Sequence, residues 1–293
     1  MTNISFDLSG KIDREKIEAL LAIKKEADDL NIPFFVVGAF ALDIILKHCY
    51  GITPRRMTGD IDLGINIANW KQFDMLISSL ISTGKFSQTK IPQRYIFDSI
   101  PIDIVPFGAI ADKQFKISWP PGHEIFMSIA GFEEAFQNSI IVRLNSDPEL
   151  DIKIPTLPGL AVMKLISWKE KYPERSKDAD DLLFIMQEYE RAGIFNRLYE
   201  NEQALLTEEN FDNQLAGIRL LGRDIAMIVD KETAKLAGTI LDEETGDSQK
   251  LIIDIMRERK MFGNQFNAIH LQLKKLKQGF VEALKKSEKI INL

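Results

Sequence analysis

The chain has 293 residues, of which 45% are hydrophobic and 27% charged, a composition typical of a globular protein and not of a disordered or fibrous one. Its net charge of −6 provides no overall basic field, so contact with a nucleic acid would depend on a local basic patch. The single cysteine, Cys49, excludes an internal disulfide, and no apolar run is long enough to span a membrane, so we expect a cytoplasmic protein with no membrane partner.

The first part of the chain alternates between helices and short strands. A helical pattern covers Asp13 to Leu30 and is followed by the strand PFFVV. Gly38 ends this strand, and the segment AFALDIILKHCYG is typical of a helix that ends at Gly51. The segment DIDLGINI then predicts a second buried strand, and a helix from Trp70 to Ile81 follows it.

The pattern changes near Pro155. Before it, TKIPQRYIF and SIPIDIVPFG predict a hairpin, and extended segments follow at 140–144 and 150–154. Beyond it, helical periodicity continues to the end of the chain. We therefore predict an α/β (α+β) domain over residues 1–155 and a helical domain over residues 156–293.

Asp60 and Asp62 lie one residue apart in the predicted strand DIDLGINI. Because side chains alternate along a strand, both carboxylates face one side, and Ile61 and Leu63 face the core. Two like charges about 4 Å apart repel by roughly 4 kcal/mol at an effective dielectric constant near 20. A solvated edge relieves this repulsion, and so does a divalent cation such as Mg²⁺ held by hard oxygen ligands.

Asp103 is a third acidic residue in an apolar strand, between Ile102 and Ile104. An acid among so many apolar neighbours needs a partner. If this strand pairs beside DIDLGI, the three carboxylates meet at one site. Such a cluster can hold two metal ions for the in-line transfer of a phosphoryl or nucleotidyl group.

A glycine turn precedes the acidic strand. In FFVVGAFAL a strand runs into Gly38 and a helix begins at once, so free backbone N–H groups and the helix dipole suit a triphosphate. Arg55 and Arg56 either neutralise phosphate charge or are ordinary surface residues. The glycine itself can equally serve packing alone.

Two familiar kinds of site are excluded by spacing. His48, His123, His270 and Cys49 show no zinc-ligand pattern, and the sequence has no GxxxxGK[ST] phosphate-binding loop.

The glycine turn and the acidic strand together resemble a known family. VVGAFAL followed by RMTGDIDLGI is similar to the signature of the polymerase-β-like nucleotidyltransferases, and more narrowly to the AbiEii/AbiGii toxin type, with its G-x-x-AL turn and R-x-T-x-DIDL strand. IDIVPFG resembles the third-strand element of part of that group. LPGLAVMKLISWKEKYPERSKDADDLLFI resembles its later motifs, a helix with a lysine and then an Arg/Lys-Asp-x-x-Asp-Leu segment. The turn departs from the family's Gly-Gly or Gly-Ser, because Ala39 has no hydroxyl group.

The resemblance implies a polymerase-β-like core with a mixed sheet, and a helical domain that closes the cleft for nucleotide and acceptor. It implies that two Mg²⁺ ions, replaceable by Mn²⁺, are held by Asp60, Asp62 and Asp103, with Lys164 as a further catalytic residue. The residues that it assigns to the nucleotide are Gly38, Ala39, Arg56, Thr58 and Asp178. The implied substrates are an NTP and an acceptor hydroxyl, such as the 3′ end of a tRNA or another RNA, in a toxin with an antitoxin partner.

Lys164 interrupts an apolar helical stripe with Leu160 and Trp168. A lysine at such a position either extends along its neighbours to water or lines a cleft and reaches a phosphate, and the resemblance favours the second. Asp178 also fits the first turn of the next helix, and Asp181 is expected to be a structural partner of a nearby base.

Two other functions remain open at this point. The acceptor can be a small hydroxylated molecule, as in the aminoglycoside nucleotidyltransferases. The protein can also be an inactive descendant that binds a nucleotide or a protein; Asp60, Asp62 and Asp103 count against this, and Ala39 counts slightly for it.

Overall fold

The computed structural model describes the backbone of residues 4–291 and the side chains of residues 4–286. Contacts divide the chain into two compact units, Met1–Thr156 and Leu157–Leu293, here called the N-terminal and C-terminal units. No helix in this described part is both long enough and apolar enough to cross a membrane.

The N-terminal unit contains both strands and helices. Its strands are β1 (Ile4–Asp7), β2 (Phe34–Val37), β3 (Ile61–Asn66), β4 (Phe86–Gln88), β5 (Arg94–Phe97), β6 (Ile100–Phe107), β7 (Lys116–Trp119), β8 (Ile125–Ser128), β9 (Ile140–Ser146) and β10 (Glu149–Ile154). Its helices are α1 (Arg14–Asp29), α2 (Gly38–Asp43), α3 (Trp70–Ser82) and α4 (Phe132–Gln137). A π-helical segment, Ile44–Cys49, continues α2. The predicted α/β class is confirmed.

The central sheet has the strand order β2-β3-β6-β5-β4. Strand β3 pairs in parallel with β6, whereas β2 with β3, β6 with β5, and β5 with β4 are antiparallel. The sheet is therefore mixed, and the predicted hairpin and the pairing of the two acidic strands are both confirmed. Two smaller sheets have the orders β1-β9-β10 and β7-β8.

One face of the central sheet forms the core of the N-terminal unit. Ile61 and Leu63 on β3, and Ile102 and Ile104 on β6, are all fully buried. Because side chains alternate along each strand, Asp62 and Asp103 lie on the opposite face. The predicted faces of Ile61, Leu63 and Asp62 are confirmed, whereas Asp60 lies just before β3 and is not part of the strand.

Aromatic side chains close one end of that opposite face. The ring of Phe35 lies 5.4 Å from that of Phe107 and 5.3 Å from that of Phe136, between ring centres. Gly64 makes room for it, since a Cβ there would lie 2.2 Å from a carbon of the Phe35 ring. This end of the face is packed, whereas Asp62 and Asp103 at the other end are only half-buried.

The C-terminal unit is helical, as its periodicity predicts. Its helices are α5 (Leu157–Glu170), α6 (Ser176–Glu188), α7 (Phe195–Glu200), α8 (Gln203–Glu208), α9 (Asn213–Ile228), α10 (Lys231–Thr245), α11 (Lys250–Arg259) and α12 (Gln265–Ile291), with a π-helical segment at Glu190–Ile194.

Helices α9 and α12 cross with their backbones in close approach. A Cβ on Gly222 would lie 2.0 Å from the carbonyl oxygen of Leu276, and a Cβ on Gly279 would lie 1.8 Å from that of Arg219. Neither position has room for a methyl group, so the two glycines permit this crossing.

We expect Gly279→Ala to lower the free energy of unfolding by about 1–3 kcal/mol, because the added methyl group forces the two helices apart. Gly238→Ala, on α10, is the matched control: its Cβ would meet only the Phe280 ring at 3.6 Å, so better helix propensity should stabilise it slightly. Urea denaturation measures both variants. Unchanged stability of Gly279→Ala would contradict the close crossing.

Candidate active site

Asp62, Asp103 and Arg94 form a row across three neighbouring strands, here called the acidic row. Asp62 on β3 is the register partner of Asp103 on β6, and Asp103 is the register partner of Arg94 on β5. On the other side of Asp62, its partner is Val37, the last residue of β2. Register partners project from the same face of a sheet, so these side chains lie side by side.

Arg94 holds Asp103 with two hydrogen bonds. Its Nε donates to Oδ1 of Asp103 over 2.7 Å, and its Nη2 donates to Oδ2 over 2.6 Å. These hydrogen bonds raise the pKa of Arg94, and the charges of Asp60 and Asp62 act in the same direction. The guanidinium therefore balances charge from all three carboxylates.

Asp60 lies at the bend just before β3 and accepts a hydrogen bond from the hydroxyl group of Thr58. Burial acts to raise the pKa of Asp60, but this hydrogen bond, its own backbone N–H and the charges of Arg94 and Arg56 outweigh it and lower the pKa. Asp60 is thus ionised at neutral pH and available as an anionic ligand.

Gly38 brings the backbone against the acidic row. Its φ of +68° lies in the left-handed region, and a Cβ at this position would lie 2.1 Å from Oδ2 of Asp62. The residue must therefore be glycine for both conformational and steric reasons. The turn that the sequence assigns to a triphosphate lies directly beside the acids, and Ala39 is the second residue of α2.

Lys16, on α1, fixes the loop that carries Thr58. Its ammonium donates to the backbone carbonyl of Thr58 over 2.9 Å and lies 4.3 Å from the centre of the Phe40 ring. Burial lowers the pKa of Lys16, while the charges of Asp13, Asp43 and Asp60 act to raise it. A second cation is therefore within electrostatic range of Asp60.

The oxygen ligands at the acidic row suit a hard divalent cation such as Mg²⁺. Asp60 and Asp62 fit such an ion by donor type, but both oxygens of Asp103 accept hydrogen bonds from Arg94. Among the described side chains, no three His, Cys, Asp or Glu residues are arranged to hold one metal ion. In this arrangement both oxygens of Asp103 are therefore held by Arg94 and not placed for a metal ion.

Lys164 and Asp178 lie in the C-terminal unit and are joined there. The buried ammonium of Lys164 lies 2.7 Å from a carboxylate oxygen of Asp178 and 2.8 Å from one of Asp181. Asp178 also accepts a hydrogen bond from Ser167 over 2.9 Å. The expected structural partnership of Asp181 with a base is confirmed, and the proposed contact of Lys164 with a phosphate stays a prediction.

Burial and pairing shift the pKa values of this group in opposite directions. Burial acts to lower the pKa of Lys164, but the charges of Asp178 and Asp181 outweigh it and raise the pKa. Burial acts to raise the pKa of Asp178, and the charges of Lys164 and Arg175 outweigh it and lower the pKa. Lys164 and Asp178 are therefore both charged at neutral pH.

Arg94 and Lys16 were missed by the sequence reasoning. A signal for Arg94 did exist: the turn at Asp98 and Ser99 pairs Phe97 with Ile100, and that register places Arg94 opposite Asp103. Lys16 had no such signal, because it is one charged residue among many on α1.

Comparison with known proteins gives structural likeness only. No protein-family model and no curated protein sequence matches the chain. The solution structure of the antibiotic-resistance factor ANT(2'')-Ia has a TM-score of 0.37 at 15% identity, over 68% of this chain and 98% of that one. The crystal structure of an antigenic nucleotidyltransferase-like protein from Paracoccidioides brasiliensis has a TM-score of 0.37 at 14% sequence identity, and the match covers 66% of this chain and 90% of that one. The structure of a CCA-adding enzyme in its apo form has a TM-score of 0.31 at 13% sequence identity, and the match covers 95% of this chain and 84% of that one. Likeness at this level assigns neither a family nor a substrate.

We expect Gly38→Ala to lower the free energy of unfolding more than Gly51→Ala does. Both glycines have a left-handed φ, +68° and +70°, which costs an alanine about 1–2 kcal/mol. A Cβ on Gly38 would also clash with Asp62, which adds about 1–3 kcal/mol to the loss. A Cβ on Gly51 would have nothing within 4 Å, so no such clash arises there. Urea denaturation compares them, and equal losses would contradict the close contact with Asp62.

We expect Lys164→Met to lower the free energy of unfolding by about 3–5 kcal/mol at pH 7, because it leaves buried carboxylates unbalanced. The folded-state pKa of Asp178 is lowered, so its contribution is present above its unfolded pKa of about 3.9 and is lost as the pH falls below it. The difference between wild type and variant should therefore shrink below about pH 4.

The matched control for this prediction is Lys169→Met on the same helix. Lys169 pairs near the surface with Glu243, over 2.5 Å, and its side chain is 31% exposed, against 9% for Lys164. Its loss should cost less than about 1 kcal/mol. Similar effects of the two substitutions, or a pH-independent difference for Lys164→Met, would argue against a buried ion group.

Proposed function

We propose that this protein is a nucleotidyltransferase, which moves a nucleoside monophosphate from an NTP to an acceptor hydroxyl. The observation that supports this most is that Asp62 and Asp103 are register partners on neighbouring strands, with the Gly38 backbone packed against Asp62. Asp60 lies just before β3, and its charge, like that of Asp62, acts on the Arg94 that holds Asp103. Carboxylates next to the first residues of a helix provide a place for metal-bound phosphates.

Asp60, Asp62 and Asp103 would hold the metal, with two Mg²⁺ ions as the proposed complement and Mn²⁺ as a substitute. When bound, a divalent cation at these oxygens neutralises phosphate charge and favours deprotonation of the acceptor hydroxyl. Thr58 would keep Asp60 in position through its hydroxyl group, and Lys16 would hold the Thr58 backbone.

The remaining chemistry is assigned to side chains and backbone of this chain. Asp103 would accept the proton of the attacking hydroxyl, whose oxygen bonds to the α-phosphorus as the bond to the bridging oxygen breaks and pyrophosphate leaves. The N–H groups at Gly38 and Ala39, and the charge of Arg56, would hold the β- and γ-phosphates. Assignment of Lys164 and Asp178 to the nucleotide stays a prediction.

The proposed acceptor is the 3′ end of an RNA, in particular a tRNA, with the protein as the toxin of a toxin–antitoxin pair. This part of the proposal rests on the resemblance of RMTGDIDLGI to the R-x-T-x-DIDL strand of the AbiEii/AbiGii type. A cognate antitoxin would be the protein partner.

We expect label from an α-³²P-labelled NTP to enter RNA when the protein is incubated with each NTP in turn, Mg²⁺ and total RNA. Asp60→Asn and Asp62→Asn should lower the rate about a thousandfold, because several kcal/mol of metal stabilisation are lost. Asp151→Asn is the control: Asp151 is a half-buried strand carboxylate in another sheet, where Arg143 holds it.

The same assay separates the alternatives. Label that enters an aminoglycoside and not RNA would show that the acceptor is a small molecule and that the reaction is still nucleotidyl transfer. Equal rates for Asp60→Asn and wild type would contradict the site, and nucleotide binding without turnover on any acceptor would contradict the enzyme.

A further inference from the structure

We propose that Arg94 and a divalent cation are alternative partners of Asp103, so that Arg94 must leave this carboxylate before Asp103 can bind a metal. The inference rests on the proposed function and adds a positioning residue to it. Arg94 controls metal loading at one of the three carboxylates and does not itself touch the reacting atoms.

The first argument is the geometry of the pair. Both oxygens of Asp103 accept short, charge-assisted hydrogen bonds from one guanidinium, of 2.7 and 2.6 Å. A cation that binds Asp103 must displace at least one of them.

The second argument is the charge balance of the edge. Arg94 feels the charges of Asp60 and Asp62 as well as that of Asp103. One divalent cation together with Arg94 already neutralises three carboxylates, and a second divalent cation leaves an excess of positive charge. A second ion therefore competes with Arg94 by repulsion as well as for ligand oxygens.

The third argument is that Arg94 is free to move outward. Its side chain is 35% exposed, while that of Asp103 is 16% exposed, so the guanidinium can leave for water on a flexible stem. The exchange would need a side-chain rotation and no rearrangement of the sheet.

The chain offers a matched pair for comparison. Arg143 and Asp151 are also cross-strand partners in a hairpin, and Arg143 donates to both carboxylate oxygens over 2.8 and 2.9 Å. This pair also faces Glu149, at 2.9 Å from Arg143, and it belongs to the sheet β1-β9-β10. Substitution of Arg143 therefore removes the same type of contact away from the acidic row.

The test is Mn²⁺ binding, measured by electron paramagnetic resonance on the intact chain without nucleotide. Arg94→Gln should bind Mn²⁺ at the site that includes Asp103 about tenfold more tightly than wild type. A tenfold change in affinity corresponds to the free energy of about one charge-assisted hydrogen bond. Arg94→Lys should fall between them, because a lysine offers a point charge without the two-pronged contact. Arg143→Gln should match wild type, and Asp62→Asn should bind Mn²⁺ more weakly.

The outcomes separate this inference from the proposed function. Equal or weaker Mn²⁺ binding in Arg94→Gln, together with weaker binding in Asp62→Asn, overturns the role of Arg94 and leaves the metal site standing. No Mn²⁺ binding by any variant overturns both. Thermal melting checks folding, and if Arg94→Gln does not fold, Arg94→Lys decides: tighter binding than wild type supports the exchange, and equal or weaker binding overturns it.

Discussion

Asp60, Asp62 and Asp103 carry like charges that all act on Arg94, and cationic and hydrogen-bonding partners balance them. Arg94 reaches Asp103 from the neighbouring strand, and Thr58 donates a hydrogen bond to Asp60. Lys16 fixes the Thr58 backbone and adds a further positive charge near Asp60. These partners replace the water that burial removes, and the Thr58 hydrogen bond and the charge of Arg94 help to lower the pKa of Asp60.

Steric constraints complete the edge. A side chain on Gly38 would overlap Asp62, and one on Gly64 would overlap the ring of Phe35 on the same face. The first glycine lets the backbone approach the acids, and the second lets aromatic rings pack the other end of the face. The polar and the packed ends are thus separated by glycines at two positions, one at the start of α2 and one on β3.

The C-terminal unit balances buried charge in another way. Lys164 is paired with Asp178 and Asp181 inside a helical core, where little solvent remains to screen or replace these contacts. At the acidic row, in contrast, the partner of Asp103 is about one-third exposed and can exchange. The two groups therefore differ in depth of burial: the cation that pairs with Asp103 reaches solvent, and Lys164 is enclosed.

The sequence by itself determined the elements that depend on local pattern. Alternation predicted which residues of β3 face the core, and the apolar runs predicted the mixed class and the helical second part. It left the meeting of Asp103 with Asp62 conditional on the pairing of their two strands, and the parallel register of β3 with β6 meets that condition.

Only the tertiary structure decided which side chain balances each charge. The contacts of Lys16 with Thr58, and of Lys164 with both Asp178 and Asp181, join side chains whose meeting depends on how separate elements pack. Arg94 opposite Asp103 required the register of a hairpin, in which a shift of one residue would turn the guanidinium to the other face. Periodicity records which face a residue occupies; it carries no information about the neighbour that three-dimensional packing brings to that face.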